Sequence, residues 1–186
     1  LVMVLSSPNF LYMVEPANDK GLNDYELANR LSFFLWNSAP DSMLLGLAAK
    51  GKIKSQLPDV AKIMTQDPRS WEFIKSFCFQ WLHMESLDNF GIANKGDFNR
   101  FVKADSYQET FHFFNEILQS DLSILNFLKS DFVTVNPVMA EFYGIKNVKG
   151  SYFRKVKINA DVHRGGLLTQ ASFLAGHSTG QQTHPI

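Results

Sequence analysis

Repeated helix-start signals constrain the fold of this chain more than any other feature of its sequence. Asn23 is followed three residues later by Glu26, which is the capping-box pattern that begins an α-helix. Asp67-Pro68 and Asn136-Pro137 each place a capping side chain before a proline, the residue that suits the first helical turn. These signals predict a chain built mainly from helices.

Apolar side chains recur at helical spacing behind these signals and indicate how the helices pack. The sequence contains 17 Phe and 3 Trp, so the expected core is aromatic. The segment after Asp67-Pro68 is apolar around most of its circumference, and we expect it at the centre of the bundle. A further aromatic helix is predicted to begin at Ser106, with Glu109 completing its cap. The residues expected to share one buried core are Trp36, Phe77, Trp81 and Phe114.

The spacing of apolar residues changes near the C-terminal end. From residue 149 to residue 158 apolar and polar side chains alternate, which predicts a strand or an extended arm. We therefore predict a mainly α fold, a compact multi-helix bundle with a short extended arm or small strand near its C-terminal end. We place a helical domain at residues 1–148 and the start of a second, C-terminally truncated domain at residues 149–186.

Charge and motifs exclude several function classes. Lys and Arg together number 18, as do Asp and Glu, whereas nucleic-acid binding by phosphate neutralisation normally requires a basic excess. No apolar run approaches the ~18 residues that indicate a membrane span. We therefore expect no nucleic-acid partner and no transmembrane segment. The absence of H-E-x-x-H, G-x-S-x-G, Walker and Rossmann patterns argues against the commonest hydrolases and nucleotide enzymes, and leaves open whether the chain is an enzyme.

Cys78 is the single cysteine of the sequence. It lies between Phe77 and Phe79 on an apolar helical stretch, which favours a small buried hydrophobic residue. Covalent attachment of haem normally requires a C-x-x-C-H pattern, which one cysteine cannot form. We predict that this segment binds no covalent haem and holds no cofactor of its own.

His83 and Met84 are neighbours on the same helical stretch. A histidine and a methionine together hold the iron of c-type cytochromes, so the pair suggests a haem site. Adjacent residues on a helix point about a quarter-turn apart, and the two cannot ligate one iron from opposite sides. The pair therefore does not predict a ligand set.

Polar side chains suited to binding are concentrated after residue 160. Gly165 and Gly166 would let the backbone come close to a ligand, and Arg164 would hold an anionic group. His177 and His184 would serve as metal ligands, haem ligands or acid–base groups. The alternative interpretation is that the two glycines make a tight turn into a helix and that the histidines are surface hydrogen bonders. The candidate ligand-binding residues are Arg164, Gly165, Gly166, His177 and His184, with His177 and His184 as the metal candidates.

Segments that carry a family resemblance follow one another along nearly the whole chain. They are residues 5–15, 25–36, 39–41 and 80–82, Asn136, Pro137 and Ala140, the run Tyr143-Gly144-Ile145, and Arg-Gly-Gly-Leu-Leu-Thr-Gln at 164–170. Together they resemble the uncharacterised planctomycete surface-domain family, running into the start of its partner cytochrome-type domain near Arg154. The resemblance implies no particular catalytic residues.

This resemblance implies a module of large secreted or periplasmic proteins that carry a c-type cytochrome domain. We therefore expect an extracytoplasmic location, partners among other domains or chains of a larger assembly, and haem c in the parent protein. The leading hypothesis is a helical module that scaffolds or completes a haem-linked electron-transfer or oxidation site. The alternatives are a module that binds or degrades surface polysaccharide, and a structural assembly subunit without chemistry of its own.

Overall fold

The structure is a computed structural model that describes residues 2–12, 21–88, 97–159 and 164–178. The prediction of a mainly α fold with a small strand near the C-terminal end is confirmed. The helices are α1 Val2–Leu5, α2 Pro8–Leu11, α3 Asp24–Trp36, α4 Ser42–Ala49, α5 Leu57–Gln66, α6 Ser70–Trp81, α7 Glu85–Asp88, α8 Arg100–Gln119, α9 Pro137–Phe142 and α10 Ala171–Gly176. Two 3-10 helices, Ile124–Phe127 and Leu167–Thr169, and the strands β1 Phe132–Val135 and β2 Arg154–Lys157 complete these elements. Within the described ranges, no helix combines the length and the apolar character needed to cross a bilayer.

The chain divides into two compact units, Leu1–Arg69 and Ser70–Ile186. Strands β1 and β2 pair antiparallel within the second unit, with Phe132 opposite Lys157 and Val135 opposite Arg154. The extended arm predicted for residues 149–158 is thus a strand over residues 154–157. The start of a separate domain at residue 149 stays a prediction.

Side chains cap α3 and α4 in the first unit, and the cap of α3 is the capping box that the sequence predicts. At the start of α3, the Glu26 N–H donates to Asn23 Oδ1 at 3.0 Å, and the Asn23 N–H donates to Glu26 Oε2 at 2.7 Å. At the start of α4, the Leu44 N–H donates to Asp41 Oδ1 at 3.0 Å. These bonds satisfy N–H groups that the first turn of a helix otherwise leaves without partners.

Trp36, the last residue of α3, is a large buried aromatic residue of the first unit and is 3% exposed. Its Nε1–H donates to the Met64 carbonyl oxygen at 3.0 Å. The Arg69 guanidinium lies 3.4 Å from the centroid of the Trp36 ring and forms ion pairs with Asp41 at 3.0 Å and Asp67 at 2.8 Å. Asp67, predicted as the cap of the next helix, instead holds both the side chain and the backbone N–H of Arg69.

Among the described helices of the second unit, α8 contributes the largest number of buried residues. Asn99 caps it by accepting hydrogen bonds from the N–H groups of Phe101 and Val102 at 2.8 and 3.1 Å. The prediction that this helix begins at Ser106 was therefore wrong, and Ser106 and Glu109 are buried inside the helix rather than capping it. The buried residues of α8 are Val102, Ser106, Glu109, Thr110, Phe111, Phe113, Phe114 and Ile117.

Helix α6 is open on one side. Its buried residues are Ser70, Ile74 and Cys78. Phe77 is 38% exposed and Trp81 is 47% exposed, so the prediction that both lie in a buried core was wrong. Trp36 and Phe114 are buried as predicted, but they lie in different units. An apolar circumference does not reveal which face of a helix its neighbours cover.

Candidate functional site

Arg164 lines a cavity of about 540 Å³ in the second unit. Lys129 and Lys157 line the same cavity, together with Ser130, Asp131, Ile158 and Asn159. Lys129 precedes β1 and Lys157 ends β2, so the antiparallel pairing of the two strands brings these lysines to one end of the sheet. We call this site the basic cavity.

Gly165 and Gly166 hold Arg164 against the segment that precedes β1. A Cβ atom on Gly165 would lie 2.2 Å from the Ser130 carbonyl oxygen, and one on Gly166 would lie 2.5 Å from the Leu128 carbonyl oxygen. Their φ angles of 122° and 91° belong to conformations that L-residues rarely adopt. The close approach predicted for these glycines is therefore made to the chain's own backbone. Their assignment as ligand-binding residues stays a prediction.

The Arg164 side chain also lies over Tyr143, which is bonded to a buried carboxyl group. Its guanidinium lies 4.0 Å from the centroid of the Tyr143 ring. The Tyr143 hydroxyl donates to Glu109 Oε2 at 2.7 Å and accepts the Ala171 N–H at 2.9 Å. Glu109 is 1% exposed. Tyr143 thus connects a carboxyl group on α8 to the start of α10.

A second set of buried hydrogen bonds joins the same two helices. The Thr110 hydroxyl donates to Gln170 Oε1 at 2.7 Å, and it lies 2.7 Å from the hydroxyl oxygen of Ser172. The Thr134 hydroxyl donates to the Glu109 carbonyl oxygen at 3.0 Å and so links β1 to the same turn of α8. The segment that carries Arg164 is therefore attached to the core by paired buried polar groups, which are costly to separate.

Stability is expected to fall as the pH rises because of Glu109. Burial raises its pKa to about 8, against the hydrogen bond from Tyr143 and the charge of Arg164, which both lower it. Between the ordinary pKa of a glutamate and pH 8, the unfolded chain loses a proton that the folded chain keeps. The folded state then binds more protons, so the free energy of unfolding should decrease by about 3 kcal/mol between pH 5 and pH 8. Urea denaturation at a series of pH values measures this slope.

Glu109→Gln is the variant that tests this assignment. The amide is neutral at every pH and its oxygen still accepts the Tyr143 hydroxyl, so most of the slope should disappear. Glu141→Gln is the matched control, because Glu141 is an exposed carboxylate on α9. Parallel pH profiles for the natural chain and Glu109→Gln would show that Glu109 does not retain its proton in the folded state.

A second cavity of the same unit, of about 290 Å³, contains two histidines. His83 and His177 line it, and the rest of its lining is apolar: Trp81, Leu82, Phe127, Leu128, Leu167, Leu168 and Phe173. Trp81, Leu128 and Leu168 are 47%, 67% and 47% exposed. We call this site the two-histidine groove. It is an apolar surface of the kind that marks an interaction site on a protein.

One ring nitrogen of His177 is held inside the second unit. Nδ1 lies 2.9 Å from the Phe173 carbonyl oxygen, and the two rings stack with centroids 4.3 Å apart. Because a carbonyl oxygen only accepts hydrogen bonds, Nδ1 carries the proton of the neutral ring. The lone pair is then on Nε2, which is the arrangement typical of a histidine that ligates a metal.

The predicted site residues do not come together in one cavity. Arg164 lines the basic cavity, whereas His177 lines the two-histidine groove. His184 lies outside the described residues, so its role as a ligand stays a prediction. In the part of the chain that the structure describes, no three His, Cys, Asp or Glu side chains are grouped to hold a metal ion. Cys78 is buried, which raises the pKa of its thiol to about 12.

Sequence reasoning missed Glu109 and the two lysines of the basic cavity. Glu109 lies on the stripe formed by Val102, Ser106, Phe113 and Ile117, with spacings of three and four residues, and this pattern indicated burial. The lysines had no comparable signal, because their proximity depends on the register between two short strands.

Fold and site together define a mainly helical protein with a buried carboxyl group, a basic cavity and an apolar groove that carries two histidines. The chain belongs to the family described as PSD4, protein of unknown function (DUF1592), whose model matches residues 22–145. Glu109, Lys129 and His83 lie within the matched range, and Arg164, Lys157 and His177 follow it. No curated protein and no solved structure matches the chain.

Proposed function

We propose that this chain is a helical module of an extracytoplasmic redox protein associated with a c-type cytochrome, and that it completes a haem-linked electron-transfer or oxidation site. The observation that supports the proposal is the two-histidine groove, where His83 and His177 line an otherwise apolar surface. The planctomycete origin, the extracytoplasmic location and the cytochrome-type partner follow from the resemblance of the sequence and are part of the proposal.

The groove suits contact with a haem-bearing partner domain. Haem is a largely apolar ring whose iron accepts histidine nitrogen, so a haem site needs apolar walls and one or two histidines. Trp81 and Leu128 are exposed at the groove, and a partner that covered them would remove apolar surface from water. Three grouped ligands are not needed, since the porphyrin itself supplies four of the iron's ligands.

His177 is the side chain that we assign to the haem. Its Nδ1 is already bonded to the Phe173 carbonyl oxygen, which fixes the ring and leaves Nε2 free. Cys78 is buried in the core, so we assign the thioether attachment of the haem to another domain of the parent protein. Bound there, the haem would supply one-electron transfer, and this chain would supply the apolar contact and the imidazole.

Spectroscopy of the intact protein that contains this chain tests the proposal. We expect a c-type haem signal in its reduced-minus-oxidised absorption spectrum. His177→Ala should shift the haem bands and slow reduction of the haem by about tenfold or more, because the loss of one group that holds or orients a metal has effects of this size. Circular dichroism should remain unchanged.

His112→Gln is the control for this experiment. His112 stacks on Phe153 and lies at a tilt against Trp71, with centroids 4.8 Å apart in each case, and it does not line the groove. Its replacement should leave the haem bands in place. An intact protein without a haem spectrum would overturn the proposal, as would equal behaviour of His177→Ala and His112→Gln.

A further inference from the structure

The basic cavity has more positive than negative charge along its wall. Among the described residues that line it, Arg164, Lys129 and Lys157 contribute three cations, and Asp131 is the single carboxylate. The whole chain has equal numbers of acidic and basic residues, so this surplus is local. Like charges placed around one cavity repel each other, and an anion bound between them removes that repulsion.

Backbone contacts bring the three cationic residues to the same cavity. The Ile158 N–H donates to the Asp131 carbonyl oxygen at 2.9 Å and so extends the β1–β2 ladder beside Lys157. Gly165 lies close to the backbone of Ser130. Arg164 and Lys129 are the residues that precede these two in the chain, so the same contact brings them together. The cluster is thus held by the strand ladder and by the glycine contact.

Within the described residues, none of the three cations forms an ion pair with a carboxylate. Lys155, on the same strand as Lys157, is by contrast 3.1 Å from Glu116 Oε1. The charge of Arg164 acts on the buried carboxyl group of Glu109. Burial raises the pKa of that carboxyl group to about 8. A carboxyl group whose pKa is raised by burial carries less negative charge at neutral pH than an ordinary glutamate, so Glu109 balances less of the charge of Arg164.

We propose that the basic cavity binds a small organic oxyanion, a molecule that carries a phosphate, sulfate or carboxylate group. The planar guanidinium of Arg164 matches two oxygens of such a group, and Lys129 and Lys157 add point charges. The cavity of about 540 Å³ is in the size range of small-molecule sites and several times larger than an inorganic anion. Ile158 and Asn159, which also line the cavity, would contact the organic part of the ligand.

Isothermal titration calorimetry on the 186-residue chain tests this proposal with four probes. They are glucose 6-phosphate, galacturonate, inorganic phosphate and glucose. We expect at least one of the two sugar anions to bind more tightly than inorganic phosphate and than neutral glucose. Affinity should weaken as salt concentration rises, because the attraction is between charges. Binding of glucose 6-phosphate alone identifies a phosphate-type ligand, and binding of galacturonate alone identifies a carboxylate.

Lys157→Met and Arg164→Gln are each expected to weaken binding of the sugar anion about tenfold, since each removes a charge from the cavity. Lys149→Met is the matched control, because Lys149 is exposed and does not line the cavity. It should change the affinity less than twofold. Lys157 is itself exposed, so its replacement tests binding even if Arg164→Gln disturbs folding.

Three results would overturn the proposal. The first is an absence of binding by glucose 6-phosphate and by galacturonate. The second is an equal affinity for inorganic phosphate, which removes the role of the organic part. The third is an equal loss of binding in Lys157→Met and Lys149→Met, which indicates unspecific attraction by surface charge. None of these measurements involves haem, so they are independent of the proposed redox function.

Discussion

Gly165→Ala is expected to reduce the free energy of unfolding by about 4 kcal/mol, the sum of backbone strain and of a methyl group forced into a closed space. The φ of Gly165 is 122°, which an alanine adopts only with strain. The added Cβ would meet the Ser130 carbonyl oxygen at 2.2 Å. The obstacle is backbone, so it cannot swing aside as a flexible side chain would. Urea denaturation followed by circular dichroism measures the loss.

Substitutions at two other glycines separate the cost of backbone strain from the cost of the added methyl group. Gly51 has a φ of 62° but an added Cβ would meet nothing within 4 Å, so Gly51→Ala should cost only the strain, about 1 kcal/mol. Gly46 lies inside α4 with open space around it, and Gly46→Ala should stabilise the chain by about 0.5–1 kcal/mol. A Gly165→Ala variant no less stable than Gly51→Ala would show that the 128–130 segment moves away at little cost.

The Gly165 prediction also concerns the basic cavity. If the glycine contact is what places Arg164 beside Lys129, then Gly165→Ala should weaken oxyanion binding even under conditions where most of the chain remains folded. The helical content and the affinity are separate measurements. Unchanged affinity in a destabilised but folded variant would show that the contact supports the fold and not the cavity.

The sequence predicted helices best where a local signal defines them. The capping box at Asn23 and Glu26 is present in the structure, and Asn136 caps α9, where the Met139 N–H donates to its Oδ1 at 2.9 Å. Such signals involve residues three apart in the chain and need no knowledge of the rest of the fold. Strand β1 had no such signal, because four buried residues show no alternation.

Glu109 shows how a local signal can mislead. The spacing of Ser106 and Glu109 fits a capping box, and this explanation removed the carboxyl group from the list of candidates. In the structure Asn99 caps the helix and Glu109 is bonded to Tyr143, 34 residues further along the chain. A carboxyl group that is buried among distant residues acquires its properties from them, and its own neighbours in sequence do not reveal them.

The basic cavity and the two-histidine groove are each lined by residues that lie far apart in the sequence. Arg164 and Lys129 are separated by 35 positions, and His83 and His177 by 94. Their proximity requires the tertiary fold, so the sequence predicted single residues as candidates but not the cavities that they line. The sequence identified His177 as a candidate but did not predict that His83 lines the same groove.

The second large loss of stability is expected at a tryptophan, and it depends on whether that tryptophan is buried or exposed. The sequence predicts burial for both Trp36 and Trp81, yet they are 3% and 47% exposed. The Trp36 ring is enclosed, its Nε1–H is bonded to the Met64 carbonyl oxygen, and the Arg69 guanidinium lies against it. Removal of the ring leaves a cavity, a carbonyl oxygen without its donor, and an arginine without its support.

Trp36→Ala should therefore destabilise the chain by about 4 kcal/mol, the cost typical of a large buried aromatic residue. Trp81→Ala, the matched control, should cost about 1 kcal/mol, because water already reaches half of its ring. Trp36→Phe keeps most of the apolar contact and should recover much of the loss, with the missing hydrogen bond accounting for about 1 kcal/mol. Chemical denaturation of the three variants distinguishes these contributions. Equal losses for Trp36→Ala and Trp81→Ala would mean that a partner surface or a second copy of the chain covers Trp81 in solution, which a dependence of stability on protein concentration would then reveal.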